Sequence, residues 1–181
     1  MEGLANNGIV RGKTTKRVLF YLNTGGLESF LKNETDILFY LEEHVKQIPG
    51  VLSQKLFTSK IYLITDKDDI LAKKNIITES DLYGRTLMVG GGSPAALKSV
   101  QQRLVSSKKI DYFNSPDHDT TLTNVASGRG VCLAPVFLND HSNQFAWIPF
   151  DCKENFSCVL CTHKTDNRKS LHDFIDILSD K

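Results

Sequence analysis

No apolar run in the 181 residues approaches the roughly 18 that a membrane-spanning helix needs. Proline and glycine are sparse, at 5 and 12 residues, which excludes collagen-like and low-complexity architectures. Neither sign of charge is in excess: 22 Lys and Arg stand against 21 Asp and Glu, a net charge of +1. Such a balance gives no global field to draw in nucleic acid or an acidic membrane. The four cysteines, Cys132, Cys152, Cys158 and Cys161, are too few in a chain this long for a disulfide scaffold. Residues 1–10 show neither a basic stretch nor an apolar one, so they do not read as a secretory signal, and the expected location is cytoplasmic. What is present is an ordinary globular balance, 40% hydrophobic and 24% charged. The length suits one domain or two small lobes, with core enough to fold without metal or disulfide.

Residues 1–16 carry no periodicity and read as a tail, basic at its end (Arg11, Lys13, Lys16, then Arg17). From there the pattern becomes regular. Two continuous apolar runs, 18–22 and 37–41, have strand length, and Leu27, Phe30 and Leu31 recur at helical spacing between them. Strands buried on both faces read this way and belong to parallel sheets covered by helices. Further strands are expected at 60–65, 86–89, 131–134, 145–148 and 158–161. Thr78 to Gly84 reads as a capped single turn. One helix is expected to open at Ser93, as N-cap, and Pro94, burying Leu97, Val100 and Leu104. Another is expected after Asp119, with Leu122, Val125 and Ala126, ending at Gly128-Arg129-Gly130. Leu171, Phe174, Ile175 and Leu178 mark an amphipathic C-terminal helix. The class is α/β.

Gly90-Gly91-Gly92-Ser93-Pro94-Ala95 fits the pattern G-x-G-x-x-A between a strand and a helix, with Asp111 about 20 residues on, as in dinucleotide sites. The polar stretch 106–109 before Asp111 is wrong for the second strand of such a unit. The more general reading is that glycines let a ligand approach the backbone, while the helix start offers N–H groups to a carboxylate or phosphate. Thr24-Gly25-Gly26 reads as a second loop of the same kind. Cys152, Cys158, Cys161 and His163 contain a C-x₂-C spacing that occurs in zinc sites. That spacing lies in an apolar strand, where residues three apart point to opposite faces, so free buried thiols and no metal are expected. His118 stands between Asp117 and Asp119, but no nucleophile signature accompanies it, and no catalytic residue is assigned.

In this order the pieces resemble the effector-binding domain of LysR-type transcriptional regulators. Residues 28–37 (ESFLKNETDI) look like the family's "L…L..G.lDiai" segment, and 56–64 (LFTSKIYLI) like its "L….l.lv" strand. Residues 77–85 (ITESDLYGR) look like "i.l.dL.g.p". Most specific is 124–135 (NVASGRGVCLAP), which matches "lVaaGlGialvP" almost position by position.

The resemblance covers about residues 17–181. It implies a two-lobed, type II periplasmic-binding-protein-like fold with mixed, mostly parallel sheets flanked by helices. The first lobe would comprise 17–60 with 162–181, the second 61–161. It also implies a small polar or carboxylate effector in the cleft between lobes, and no cofactor. The family's contacts map onto Asn23, Thr24, Gly25 and Leu41 in the first lobe, and onto Gly91, Gly92, Ser93, Asp117 and His118 in the second. Members that carry a cation at the position of Leu41 differ here. The family's DNA-binding helix–turn–helix has no counterpart, so DNA is expected to be reached only through a domain absent from this chain. The family's first strand and helix are also missing before the run at 18–22. Self-association is therefore expected, or a tail folded back over that run. The alternatives are a free-standing solute-binding protein of the same fold and a dinucleotide-binding enzyme domain.

Overall fold

The structure, a computed structural model, describes residues 18–20, 24–90, 93–139 and 141–179. Among these the elements run β1 (Val18–Phe20), α1 (Thr24–Leu31), β2 (Ile37–Leu41), α2 (Glu42–Val45), β3 (Val51–Thr65), β4 (Thr86–Gly90) and α3 (Ala95–Ser106). There follow β5 (Asp111–Ser115), α4 (His118–Ala126), β6 (Val131–Pro135), β7 (Ala146–Pro149), β8 (Asn155–His163) and α5 (Lys169–Ser179). The chain divides into two compact units, one of residues up to Thr58 together with those from Ser157 on, the other Ser59–Phe156. These divisions fall at 58/59 and 156/157, against 60/61 and 161/162 in the sequence reading. β3 and β8 each run through both units.

In the first unit β2 lies between β1, its parallel partner, and β8, which runs antiparallel to it from Ile37↔Thr162 to Leu41↔Cys158. All five β2 residues are buried, as its unbroken apolar run requires of a strand covered on both faces. Phe30, Leu38, Tyr40, Val45, Val159 and Cys161 form one core cluster, and Leu171 and Ile175 of α5 are buried as well. α1 stops because Asn33 takes a left-handed conformation (φ 58°). Asn33 N–H then donates to Phe30 O and Glu34 N–H to Ser29 O, which satisfies the last helical carbonyls.

In the second unit the C-terminal half of β3 sits between β6 and β7, both antiparallel to it. β4 runs parallel to β6 on one side and to β5 on the other. The helices α3 and α4 connect the parallel strands. Leu97, Val100 and Leu104 bury the α3 face at the expected positions. Ile64, Met88, Val125, Cys132 and Ala134 make a core cluster. Thr78 takes a capping-box arrangement, its N–H donating to Asp81 Oδ2 at 2.8 Å, and a 3-10 turn follows at Glu79–Leu82.

Several local expectations differ from the structure. β3 begins at Val51, well before Lys60, because its first half is largely exposed on both faces and shows no apolar run. β5 was not anticipated for the same reason: only Ser115 of its five residues is buried. Thr24 and Gly25 belong to the first turn of α1, not to a loop before it. The cap of α4 is Asp117, whose side chain accepts from Thr120 N–H, and Asp119 lies in the first turn. Thr121, not Ala126, joins Val125 on its buried face. The tail 1–16, and Tyr21 and Leu22 of the first apolar run, lie outside the described residues.

Candidate functional site

The glycine-flanked helix start lies where two parallel strands end together. β4 and β5 pair from Thr86↔Asp111 to Gly90↔Ser115, so Gly90 and Ser115 finish side by side. Each strand then leads to a helix, α3 or α4. In open α/β sheets ligands bind beyond the carboxyl ends of the strands. First-turn N–H groups without carbonyl partners, together with the positive dipole end, suit an anionic or polar atom there.

Ser93 does not cap α3. Its hydroxyl turns back and donates to Gly90 O at 2.9 Å, and its N–H reaches the same carbonyl at 3.4 Å. Pro94 occupies the cap position, and Lys98 N–H closes the first helical bond on its carbonyl. Ser93 is therefore the residue that shapes the loop, half-buried and with hydroxyl lone pairs still available.

On α4 the Asp117 carboxylate accepts Thr120 N–H at 2.7 Å, and this backbone bond, first among its causes, holds the carboxyl below its ordinary value. The Asp117 carbonyl accepts the hydroxyls of Thr121 at 2.8 Å and Ser115 at 3.2 Å. Neither Ser115 nor Thr121 was singled out in the sequence, although the S-x-D-x-x-x-T spacing carries that signal. His118, first residue of α4, is exposed beside them. Ser93, Asp117 and His118 thus belong to one end of one sheet, while Gly91 and Gly92 lie outside the described residues. In the first unit Asn23 also lies outside them, Thr24 and Gly25 open α1, and Leu41 ends β2 with its side chain buried.

Asp111 heads β5, opposite Thr86. At about 3.3 Å per residue it lies roughly 13 Å along the strand from the end where Gly90 sits. A ribose-binding acid belongs beside the glycine loop, so the dinucleotide pattern is not supported by its own geometry.

Cys132, Cys158 and Cys161 are buried, Cys152 is half-buried, and all four are free thiols. Burial pushes Cys132 and Cys161 up to about 12. Cys161 shares its face with Val159 and Leu38, while Cys158 points to the other face. His163 stacks on Phe30, ring centroids 4.2 Å apart. Among the described residues no group of three or more His, Cys, Asp or Glu is placed to hold a metal ion.

No family model matches the sequence, and no curated protein matches it. Solved structures do. The regulatory domain of MetR, a LysR family regulator from N. meningitidis, is 22% identical with a TM-score of 0.51, over 85% of this chain and 73% of that one. The reduced OxyR regulatory domain from Pseudomonas aeruginosa is 18% identical with a TM-score of 0.60, over 88% and 76%. The BenM effector-binding domain with its effector benzoate is 13% identical with a TM-score of 0.62, over 88% and 75%.

The chain has the fold of a LysR-type effector-binding domain.

This is the type II periplasmic-binding-protein fold that residues 28–37 and 124–135 pointed to, with β3 and β8 as the strands common to both units. The LysR-type neighbours are regulatory domains of transcription factors. Of full-length OxyR C199D the chain covers 52%. Among the described residues no helix is long and apolar enough to cross a membrane.

Proposed function

We propose that this chain is a ligand-sensing regulatory domain of LysR type. It binds a small polar or carboxylate-bearing metabolite, and the response is read out by a DNA-binding domain that the described residues do not include. The observation that carries this is the pairing of Gly90 with Ser115, which sets two helix starts at one sheet end in a fold used by ligand-responsive regulators. A ligand that prefers one conformation of such a domain shifts its population, which is how sensing becomes regulation. No catalytic role is assigned to any residue. Four free thiols fit a cytoplasmic regulator.

The test is calorimetry against a panel of small carboxylates and amino acids, with NAD alongside. A saturable carboxylate or amino-acid ligand is expected. Its affinity should fall about fivefold in Ser93→Ala, equivalent to about 1 kcal/mol. Binding of NAD alone, or no response to the panel, would count against the proposal.

Self-association belongs to the same proposal. β5 is the last strand in the sheet order, and its Tyr112 and Phe113 are about half exposed. A strand edge of this kind offers unpaired backbone groups and apolar surface to a second copy. Light scattering should find a species larger than the monomer, reduced in Phe113→Lys; a strict monomer removes this part.

A further inference from the structure

One edge of β7 is open. β3 occupies the other, pairing from Thr65↔Ala146 to Tyr62↔Pro149. A bond from Phe150 N–H to Ile61 O continues that ladder and fixes which way each backbone group points. In an antiparallel strand the N–H and C=O of one residue point to the same side, and those of the next to the other. Phe150, Ile148 and Ala146 therefore face β3, while Pro149 and Trp147 face away from it. Pro149 O follows this alternation: it accepts Ile77 N–H at 2.8 Å from the far side. Ile77 makes a single bridge there, to Phe150. Among the described residues nothing takes the N–H or the C=O of Trp147.

A cavity of about 780 Å³ lies along this open edge, and residues 145–149 all line it. Successive side chains of a strand point to opposite faces, so a cavity that touches five residues in a row follows the edge and not a face. Lys74 and Asn75, from the segment leading to Ile77, form part of the lining, as does Lys67 beyond the end of β3. These three side chains are exposed and Trp147 is half-buried, so an arriving molecule reaches them.

Charge and shape narrow what that molecule is. The described lining holds two lysines and no carboxylate. Lys74 pairs with Asp81, which lies outside the lining. Lys67 makes no ion pair among the described residues; Asp66, beside it in sequence, accepts Asp68 N–H at 2.8 Å. A strand edge with an unpaired N–H and C=O is a template for an added strand. The four residues of β7 span roughly 13 Å, the length of three or four extended peptide residues. The chain's own basic stretch 11–17, or a second β7 edge, would bring cations against the same two lysines, so charge disfavours both as occupants.

We propose that the open edge of β7 binds an acidic peptide in extended conformation, whose main chain pairs with Trp147 and whose carboxylates meet Lys67 and Lys74. β7 and β5 are opposite edges of the second unit's sheet, with β3, β6 and β4 between them. At about 4.8 Å per strand β7 lies roughly 14 Å from β4, so this site is separate from the one at Ser93 and does not depend on the sensing role.

Trp147 is the single tryptophan, so its fluorescence reads the site directly. The probe is the acetylated, amidated peptide Val-Glu-Val-Glu, with Val-Gln-Val-Gln and Val-Lys-Val-Lys as neutral and cationic counterparts, added to the full chain. The acidic peptide should change the fluorescence saturably, the neutral one should bind more weakly, and the cationic one should give no response. N-methylation of the backbone amides of the acidic peptide should abolish binding, and in its unmethylated complex the Trp147 amide should exchange with deuterium about tenfold more slowly by NMR. Lys67→Glu should weaken binding about fivefold with circular dichroism unchanged. Ser93→Ala should leave binding intact, so the two sites fail or succeed separately. No saturable change, equal binding of the cationic peptide, binding that survives N-methylation, an unprotected Trp147 amide, or wild-type affinity in Lys67→Glu overturns the proposal.

Discussion

A methyl group at Gly130 would stand 2.5 Å from Met88 Cε and 2.5 Å from Thr86 O. The methionine end can swing aside, but the Thr86 carbonyl belongs to β4 and can retreat only if the strand moves. Gly130→Ala should therefore cost about 1–3 kcal/mol, the usual range for overpacking, read as a lower urea midpoint at constant slope. Asp81 makes a different residue-scale prediction. Its carboxylate accepts from Lys74 first and then from Thr78 N–H, and these bonds lower it from 3.8 to about 2. A carboxyl depressed in the folded state stabilises fully above its unfolded value, and that contribution is lost as pH falls through the folded one. Wild-type melting temperature should thus drop between about pH 4 and pH 2, and Asp81→Asn should flatten that part of the profile. Asp69 works in the same direction: burial raises it, yet the bonds from Arg85 and Leu71 N–H outweigh burial and leave it lowered.

At the scale of elements, α4 is defined by its two ends. Asp117 caps the first turn, and Gly128 at φ 69° closes the last, with Gly128 N–H on Val125 O and Arg129 N–H on Asn124 O. A Cβ at Gly128 meets nothing within 4 Å, so Gly128→Ala should cost only the left-handed backbone penalty, about 1–2 kcal/mol in the same urea experiment. Both glycines of Gly128-Arg129-Gly130 were legible as a helix stop, but their separate reasons were not: one needs the conformation, the other the space. β2, β4 and β6 were legible because burial on both faces leaves an unbroken apolar run. The outer half of β3 and the edge strand β5 left no such trace, since solvent accepts Ser53, Gln54, Lys55 or Asp111 as readily in a loop. In the motif Asp117-His118-Asp119 either acid suits a cap; the hydroxyls of Ser115 and Thr121 on the Asp117 carbonyl select the first. Ser93 was singled out because strand–glycine–helix is a local signal, Asp117 and His118 only because the family resemblance maps contacts onto them. The Arg168–Asp36 ion pair left no local signal, because only the antiparallel register of β2 on β8 unites residues so far apart in sequence.

The whole molecule shares two strands between its units, and this has a consequence for unfolding. β3 pairs with β6 and β7 in the second unit through residues 61–65, and β8 pairs with β2 in the first through 158–162. Each of these strands runs on from its paired segment into the other unit without a break. The single tryptophan, Trp147, stands on β7 opposite Ile64 and reports on the second unit alone. Phe30 is fully buried in the core of the first unit. Phe30→Ala removes a large buried side chain and should cost about 3–5 kcal/mol. With β3 and β8 shared, the Trp147 fluorescence midpoint in urea should fall with the far-UV circular dichroism midpoint, the two curves remaining coincident as a single cooperative transition requires. A Trp147 transition that stays at its wild-type midpoint, while circular dichroism splits into two steps, would show that the second unit folds on its own and that the shared strands do not couple the pair.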